Sequence, residues 1–171
     1  MKEVILVDEQ DNAVGRMEKL EAHQKGLLHR AFSIFIFNTF GELLLQRRAM
    51  AKYHSGGLWT NTCCSHPAPN EDTLLAANDR LREEMGFQTT LRPLFSFLYE
   101  TSFENGLVEH EFDHIYIGEF NGKIVPNKEE VMDYQWISLQ NLIQMTAQNP
   151  ESFTYWFLEV YERVFREYTK K

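Results

Sequence analysis

The sequence predicts an α/β chain of the α+β kind, a mixed β-sheet flanked by α-helices. Strand-like and helix-like segments are mixed along the chain. Hairpin turns join strand segments, and residues 71–85 form a clear amphipathic helix. Such a pattern favours one sheet covered by helices over an all-helical or all-strand fold.

Residues 3–8 read as a first strand, with Asp11-Asn12 as the turn after it. Residues 19–24 suit a short helix that stops near Gly26. Ala31-Phe32-Ser33-Ile34-Phe35-Ile36-Phe37 is apolar almost throughout and bounded by Asn38 and Gly41. It is too short for a typical helix and reads as a buried strand. Residues 43–46 return after Gly41 as its hairpin partner, and residues 59–62 read as another short strand. In the helix at 71–85, Leu74, Ala77, Leu81 and Met85 recur at helical spacing, and Gly86 stops it. Residues 94–101, 112–120 and 134–137 complete the strands. Ser138 caps a helix through Ala147, which Asn149-Pro150 ends. Residues 152–168 make an aromatic-rich C-terminal helix.

The 171 residues suggest one catalytic-size domain over 1–171 with its own core. A net charge of −8 argues against nucleic acid as a partner, since phosphates need a basic face. It leaves room for a small anion held by a local basic cluster. No apolar run is long enough to cross a membrane, and residues 1–8 are too short and too acidic for a signal peptide. A cytoplasmic protein is expected. The two cysteines, Cys63 and Cys64, are adjacent. Neighbours rarely meet disulfide geometry, so reduced thiols are the simpler reading.

Several constellations could carry chemistry. Cys64 and His66 lie close together in Trp59-Thr60-Asn61-Thr62-Cys63-Cys64-Ser65-His66-Pro67. A Cys beside a His can serve acid–base work, whereas a buried Cys is a small hydrophobe, and Cys63 keeps that reading. If Cys64 faces a site, its side chain points opposite to that of Cys63. Glu109 and Glu111, two apart in a strand, point to one side, with Asp113 on the same face. Like charges so close need a compensating cation. His23 and His29 are six apart with Gly26 between, so a loop must bring them together. His54, His110 and His114 are given no role. Arg47-Arg48-Ala49-Met50-Ala51-Lys52 is a compact basic patch suited to phosphate oxygens, with Arg47 left undecided. On the acidic helix Arg80 and Glu84 share a face. By periodicity alone those charges merely solvate it.

Residues 65–87 resemble the Nudix box. Glu71, Leu81, Glu83, Glu84, Gly86 and Phe87 fall in its register, Ser65 stands at its leading Gly, and Asp79-Arg80 stand where Arg-Glu is usual. The segment 59–67 resembles the cysteine motif of the type 1 isopentenyl-diphosphate isomerases. Val131-Met132-Asp133-Tyr134-Gln135-Trp136 is similar to that family too, and the likeness runs from Lys19 through Trp156. The resemblance implies a Nudix-like fold and an allylic double-bond shift between isopentenyl and dimethylallyl diphosphate. It implies Cys64 and Glu111 as proton-transfer groups on opposite faces of the substrate, Tyr99 bonded to the catalytic Glu, and the π face of Trp156 beside a carbocation. It further implies His23, His29, His66, Glu109 and Glu111 as ligands of one divalent ion, Mn2+, Zn2+ or Mg2+. Lys19, Arg48, Lys52, Ser65 and Arg80 would bind the diphosphate. Glu84 and the Cys64 backbone carbonyl would hold a Mg2+ that travels with it. The only partner implied is a small-molecule diphosphate, with the protein a monomer or homodimer. The departure at Asp79-Arg80 weighs against the alternative, a Nudix pyrophosphohydrolase with its fuller acidic cluster. A non-catalytic binding module would not need Cys64.

Overall fold

A computed structural model describes residues 2–170; Met1 and Lys171, the ends of the expected domain, lie outside the described residues. The central apolar run becomes β3 (His29–Phe37), buried along nearly its whole length. Its neighbours are β1 (Glu3–Val7), the short β6 (Cys63–Ser65) and β8 (Val108–Glu119). The β8 ladder is parallel, from His29↔Glu111 to Phe37↔Glu119. Parallel pairing buries both faces of a strand, which is why β3 shows no alternation.

The two faces of β3 feed two cores. Phe35 and Phe37 pack with Phe157, Val160, Val164 and Phe165 of α4 (Tyr155–Thr169). Phe32, Ile34 and Ile36 pack with Ala77, Leu81 and Met85 of α2 (Thr73–Met85). Helix α2 starts where Asp72 accepts from the Leu75 amide and stops at Gly86. Ser138 caps α3 (Leu139–Gln148) by accepting from the Asn141 amide. The remaining elements are β2 (Ala13–Glu18), α1 (Lys19–Lys25), β4 (Leu43–Arg48), β5 (Trp59–Thr60), β7 (Arg92–Ser102) and β9 (Val131–Ile137).

Some expectations change. The β3–β4 hairpin closes at one pair, Phe37↔Leu43, and β4 runs instead along β9 from Leu43↔Ile137 to Arg48↔Val131. Of the strand expected at 59–62 only Trp59–Thr60 forms, as β5; Asn61 and Thr62, between β5 and β6, are a wedge that opens this hairpin. Thr62 Oγ1 accepts from the Ile36 amide at 3.0 Å and donates to the Leu44 carbonyl at 2.6 Å. One hydroxyl thus replaces a ladder step between two parted strands. Strand β2 has no counterpart among the expected strands. It is largely exposed and takes its form from pairing with β1, from Glu3↔Glu18 to Val7↔Ala13. Residues 150–152 form a 3-10 turn, so α4 begins later than expected.

Two glycines separate backbone strain from steric clash. Gly41 and Gly86 have φ of +75° and +78°, but a Cβ at Gly41 meets nothing within 4 Å, whereas at Gly86 it falls 2.2 Å from the Val125 carbonyl oxygen. Gly41→Ala should cost about 1 kcal/mol, the left-handed penalty alone. Gly86→Ala should cost clearly more, at least about 2 kcal/mol. Urea unfolding checks this, and equal losses would refute it.

Candidate active site

The site grows from four places in the chain. Helix α1 ends at Gly26, whose φ of +66° reverses the chain after His23. Three residues later His29 opens β3. Their ring centroids are 4.8 Å apart. The wedge carries His66 in just after β6, with its ring 5.0 Å from His29 and 5.7 Å from His23. Opposite stands β8, where alternation turns Glu109 and Glu111 to the same side. The parallel register sets Glu111 beside His29.

The Glu111 Oε2 atom lies 2.7 Å from His66 Nε2 and 3.1 Å from His29 Nε2. His23 Nε2 is 3.9 Å from carboxylate oxygens of both Glu109 and Glu111. The second oxygen of Glu111 accepts from Tyr99 at 2.5 Å, and Tyr99 also contacts Glu109 Oε1. One phenolic proton serves two carboxylates. Tyr99 is placed by β7, where it pairs with Glu111 across the ladder. Asp113 continues the face and accepts from the Ser33 hydroxyl at 2.7 Å. His110 and His114 turn the other way, toward Glu100 and Asp11.

These residues fit a divalent cation. His23 Nδ1 faces the Lys19 carbonyl at 2.7 Å and His29 Nδ1 faces the Leu27 carbonyl at 2.9 Å. A carbonyl only accepts, so each Nδ1 carries the proton and each Nε2 offers a lone pair inward. His23 Nε2 is fully buried and has no hydrogen-bond partner. Ligand atoms of His23, His29, His66 and Glu111 all lie within 4.8 Å of one another. Glu109 falls in an adjoining trio with His23 and His54. The sequence suggests no role for His54, and nothing in its spacing singles it out.

Electrostatics follow from burial and pairing. Burial works to raise the Glu111 carboxyl, but His66 and His29 hold it well below the usual range. Against its own burial, His29 is raised by the hydrogen bond to Glu111. Burial lowers His23 to about 4. Burial pushes the Cys64 thiol and the Tyr99 phenol up, so both carry their protons at neutral pH.

The wedge also separates the two thiols. Both are free. Cys63 is wholly buried in the α2-side core, while Cys64 packs on the α4 side. They point to opposite faces, as an extended segment requires. Cys64, Arg48, Tyr99, Glu109, Glu111 and Trp156 line one cavity of about 30 Å3. Asn61, to which no sequence pattern points, holds two of them. Its Oδ1 accepts from Trp156 Nε1 at 3.2 Å and lies 3.9 Å from Cys64 Sγ. Its amide nitrogen donates to the Ile34 and Cys63 carbonyls. Arg48 lies over the Trp156 ring, 5.5 Å from its centroid. The π face expected to meet a carbocation thus already meets a guanidinium.

A second cavity, of about 410 Å3, meets the first at Ser65 and His66 and is also lined by Lys19 and Arg80. Lys52 departs from the expected anion pocket. It lines neither cavity, and its ammonium contacts Glu130. Arg80 reaches the same Glu130 at 3.1 Å. Glu84 is not an open carboxylate either. It is 3% exposed and accepts from Arg80 Nε at 2.6 Å and Gln46 Nε2 at 3.0 Å. Arg47, on β4, donates to the Gly57 carbonyl at 2.8 Å and so braces the 49–58 loop.

Sheet, helices and centre together define a Nudix-fold protein with a histidine–carboxylate site competent for metal. The NUDIX domain family model matches residues 27–157. The chain superposes on the MutT protein from Methanosarcina mazei with a TM-score of 0.69 at 20% identity, covering 84% of this chain and 96% of that one, a likeness of fold. It is 52% identical over 162 residues to isopentenyl-diphosphate Delta-isomerase 2 of Aromatoleum aromaticum, covering 95% of this chain and 86% of that one. It is 55% identical over 157 residues to the isopentenyl-diphosphate Delta-isomerase of Serratia proteamaculans, covering 92% and 88%. The chain belongs to the isopentenyl-diphosphate Delta-isomerase family.

Two outcomes follow from this geometry. Tyr99→Phe removes the hydroxyl that serves both carboxylates and should lower kcat about 10- to 100-fold while leaving the fold intact; steady-state kinetics with circular dichroism checks it, and unchanged kcat would refute it. His23 bears on acid stability. Burial holds its folded pKa at about 4, below the ordinary imidazole value of about 6.5. The unfolded chain therefore takes up this proton first, and stability present above pH 6.5 is lost as pH falls toward 4. In metal-free protein His23→Gln should flatten that decline by up to about 1.4 kcal/mol per pH unit. Denaturation at several pH values measures it, and parallel curves for the two proteins would count against it.

Proposed function

We propose that this chain interconverts isopentenyl diphosphate and dimethylallyl diphosphate, shifting a double bond by proton transfer at two carbons. The observation that carries this reading is the meeting of Cys64, from β6, with Glu111 and Tyr99, from β8 and β7, around one small buried cavity. A hydrolase has no use for a thiol there. It would also want Glu84 open to metal, and Glu84 is bound to Arg80.

The substrate alkene is unactivated. A proton added to its terminal methylene carbon leaves a tertiary cation at the adjacent branched carbon. Loss of a proton from the carbon on the other side of that centre forms the new double bond. Of Cys64 and Glu111, one gives the first proton and the other takes the second; they exchange roles in reverse. Tyr99 orients Glu111 and supplies a bridging proton to the carboxylate pair. Trp156 walls the cavity, and a cation over a desolvated indole face gains about 2 kcal/mol. That is a factor of roughly 30 in rate, useful but far short of the whole. Burial keeps water from capturing the cation. A divalent ion, Mn2+, Zn2+ or Mg2+, held by His23, His29, His66, Glu109 and Glu111 would neutralise the paired carboxylates and fix their positions.

Lys19 and Arg80 bring cationic donors to the larger cavity and Ser65 a hydroxyl, among the carboxylates of Glu3, Glu71, Asp79 and Glu83, and Arg48 stands in the smaller one. Before Glu84 can serve a Mg2+ that accompanies the diphosphate, Arg80 must release it toward the phosphate oxygens. Lys52 joins only by leaving Glu130. Among the described residues no helix is long and apolar enough to cross a membrane. The partner is a small diphosphate.

Isopentenyl diphosphate incubated with the protein, Mg2+ and a reductant in D2O should give the dimethylallyl isomer with deuterium incorporated, as read by NMR. Cys64→Ser and Glu111→Gln should each lower turnover by at least about 100-fold, the scale of a lost acid–base group. Release of inorganic phosphate or diphosphate without isomerisation would overturn the reading.

A further inference from the structure

His54 lies outside the metal-ligand set that the family resemblance implies, yet it is built like a member of it. We propose that His54 is a further protein ligand of the same metal centre, entering through Nε2 on the Glu109 side. The inference rests on the metal centre set out above.

Three observations carry it. The first is an unpartnered buried nitrogen. His54 is 6% exposed, and its Nε2 has no hydrogen-bond partner. It nonetheless stands 2.5 Å from Glu109 Oε2. A buried imidazole nitrogen pressed on a carboxylate without hydrogen-bond direction is what two lone-pair donors sharing a cation look like. The second is the pattern of its two nitrogens. His54 Nδ1 contacts the Ser55 hydroxyl at 3.1 Å, while Nε2 points inward. His23 and His29 do the same, with Nδ1 on a carbonyl and Nε2 toward the carboxylates. An outward contact at one nitrogen is how ligating histidines are oriented. The third is placement. Ligand atoms of His54, His23 and Glu109 lie within 4.8 Å of one another, so His23 belongs to both groups of donors. The His54 ring lies 6.0 Å from that of His23, close to the 5.7 Å separating His66 from His23.

The ring is held in that pose. It stacks on Phe103 at 4.4 Å and 11°, meets Tyr53 edge-on at 4.3 Å, and its backbone carbonyl accepts from Arg48 Nη2 at 3.1 Å. Four imidazoles with two carboxylates also shift the preference of the centre away from Mg2+, which favours oxygen, and toward a borderline ion such as Zn2+.

The test has two arms. In wild-type protein with 15N-labelled histidine, stripped and then loaded with Zn2+, NMR should show four Nε2 resonances moving to metal-bound shifts, one of them from His54. Three such resonances, with His54 unmoved, would overturn the proposal and leave the centre standing. If no histidine responds to Zn2+, the centre itself falls and this ligand with it. In the second arm His54→Phe keeps the stack on Phe103 and drops the nitrogen. Its Zn2+ affinity, by competition with a chromophoric chelator, should fall at least about tenfold. The melting of the metal-free protein should not change, which separates a lost ligand from a lost fold. An affinity equal to that of the wild type would make His54 only a neighbour of Glu109.

Discussion

Two carboxylates buried side by side on β8 set the terms for the rest of the site. Glu109 and Glu111 are 3% and 5% exposed. Their nearest oxygens share the Tyr99 hydroxyl, and at an effective dielectric near 20 two charges so close repel by roughly 3 kcal/mol, before desolvation is counted. An arrangement of that kind persists only if other groups compensate it. The compensation comes from four separate parts of the chain: imidazoles from α1, β3, the 49–58 loop and the segment after β6. Tyr99 adds a proton that neither carboxylate has to supply. The chemistry of the site uses the same tension, since a carboxylate held against imidazoles in a dry pocket is a group whose proton affinity the surroundings control.

Position comes from the wedge between β3 and β4. Residues 61–62 enter the sheet as a strand would, yet they bond through side chains. Thr62 spans Ile36 and Leu44, and Asn61 bonds Ile34 and Cys63. Gln46 closes the set on the Thr62 carbonyl at 2.7 Å. A rigid insertion next to the most buried strand gives Cys64 one orientation, toward α4, and leaves Cys63 to fill the opposite core. The amide that holds the wedge also receives the Trp156 indole, so the thiol and the aromatic wall share one anchor.

Local patterns made much of this legible in the sequence. The buried strand, the acidic helix and the Ser138 cap follow from periodicity and end chemistry within a dozen residues. The opposed thiols and the paired Glu109 and Glu111 follow from the period of two in extended chain. What was hidden depends on distant partners. β2 buries little and pairs only because β1 offers an edge. The β3–β4 hairpin opens because a segment some twenty residues on enters it. His54 and Asn61 sit among dozens of plausible polar residues, and only the fold shows that their atoms converge. Lys52 and Glu84 were expected to be available. Glu130, 78 residues on, engages Lys52, whereas Arg80 engages Glu84 from one turn back on the face the two share.

The size of the inner cavity then decides which part of the site can move. About 30 Å3 is room for a single water, far short of a branched five-carbon chain. A wall must give way. Glu109, Glu111, Tyr99 and Cys64 ride on strands paired along their length, and Trp156 is fixed by Asn61 and the α4 core. Ser33 and Ser65 are on strands too, and the rest of the wall is His66, just past β6, and Arg48 with Tyr53 and His54, at the end of β4 and in the loop after it, where ladder bonds give way to turns. Segments with few buried ladder bonds open at the lowest cost. Arg48 covers the indole face, and its own guanidinium holds the His54 carbonyl. Moving it outward toward a diphosphate would therefore uncover Trp156 and loosen His54 in one displacement. The same residues that close the hydrocarbon pocket touch the carboxylate centre, so opening one would rearrange the other.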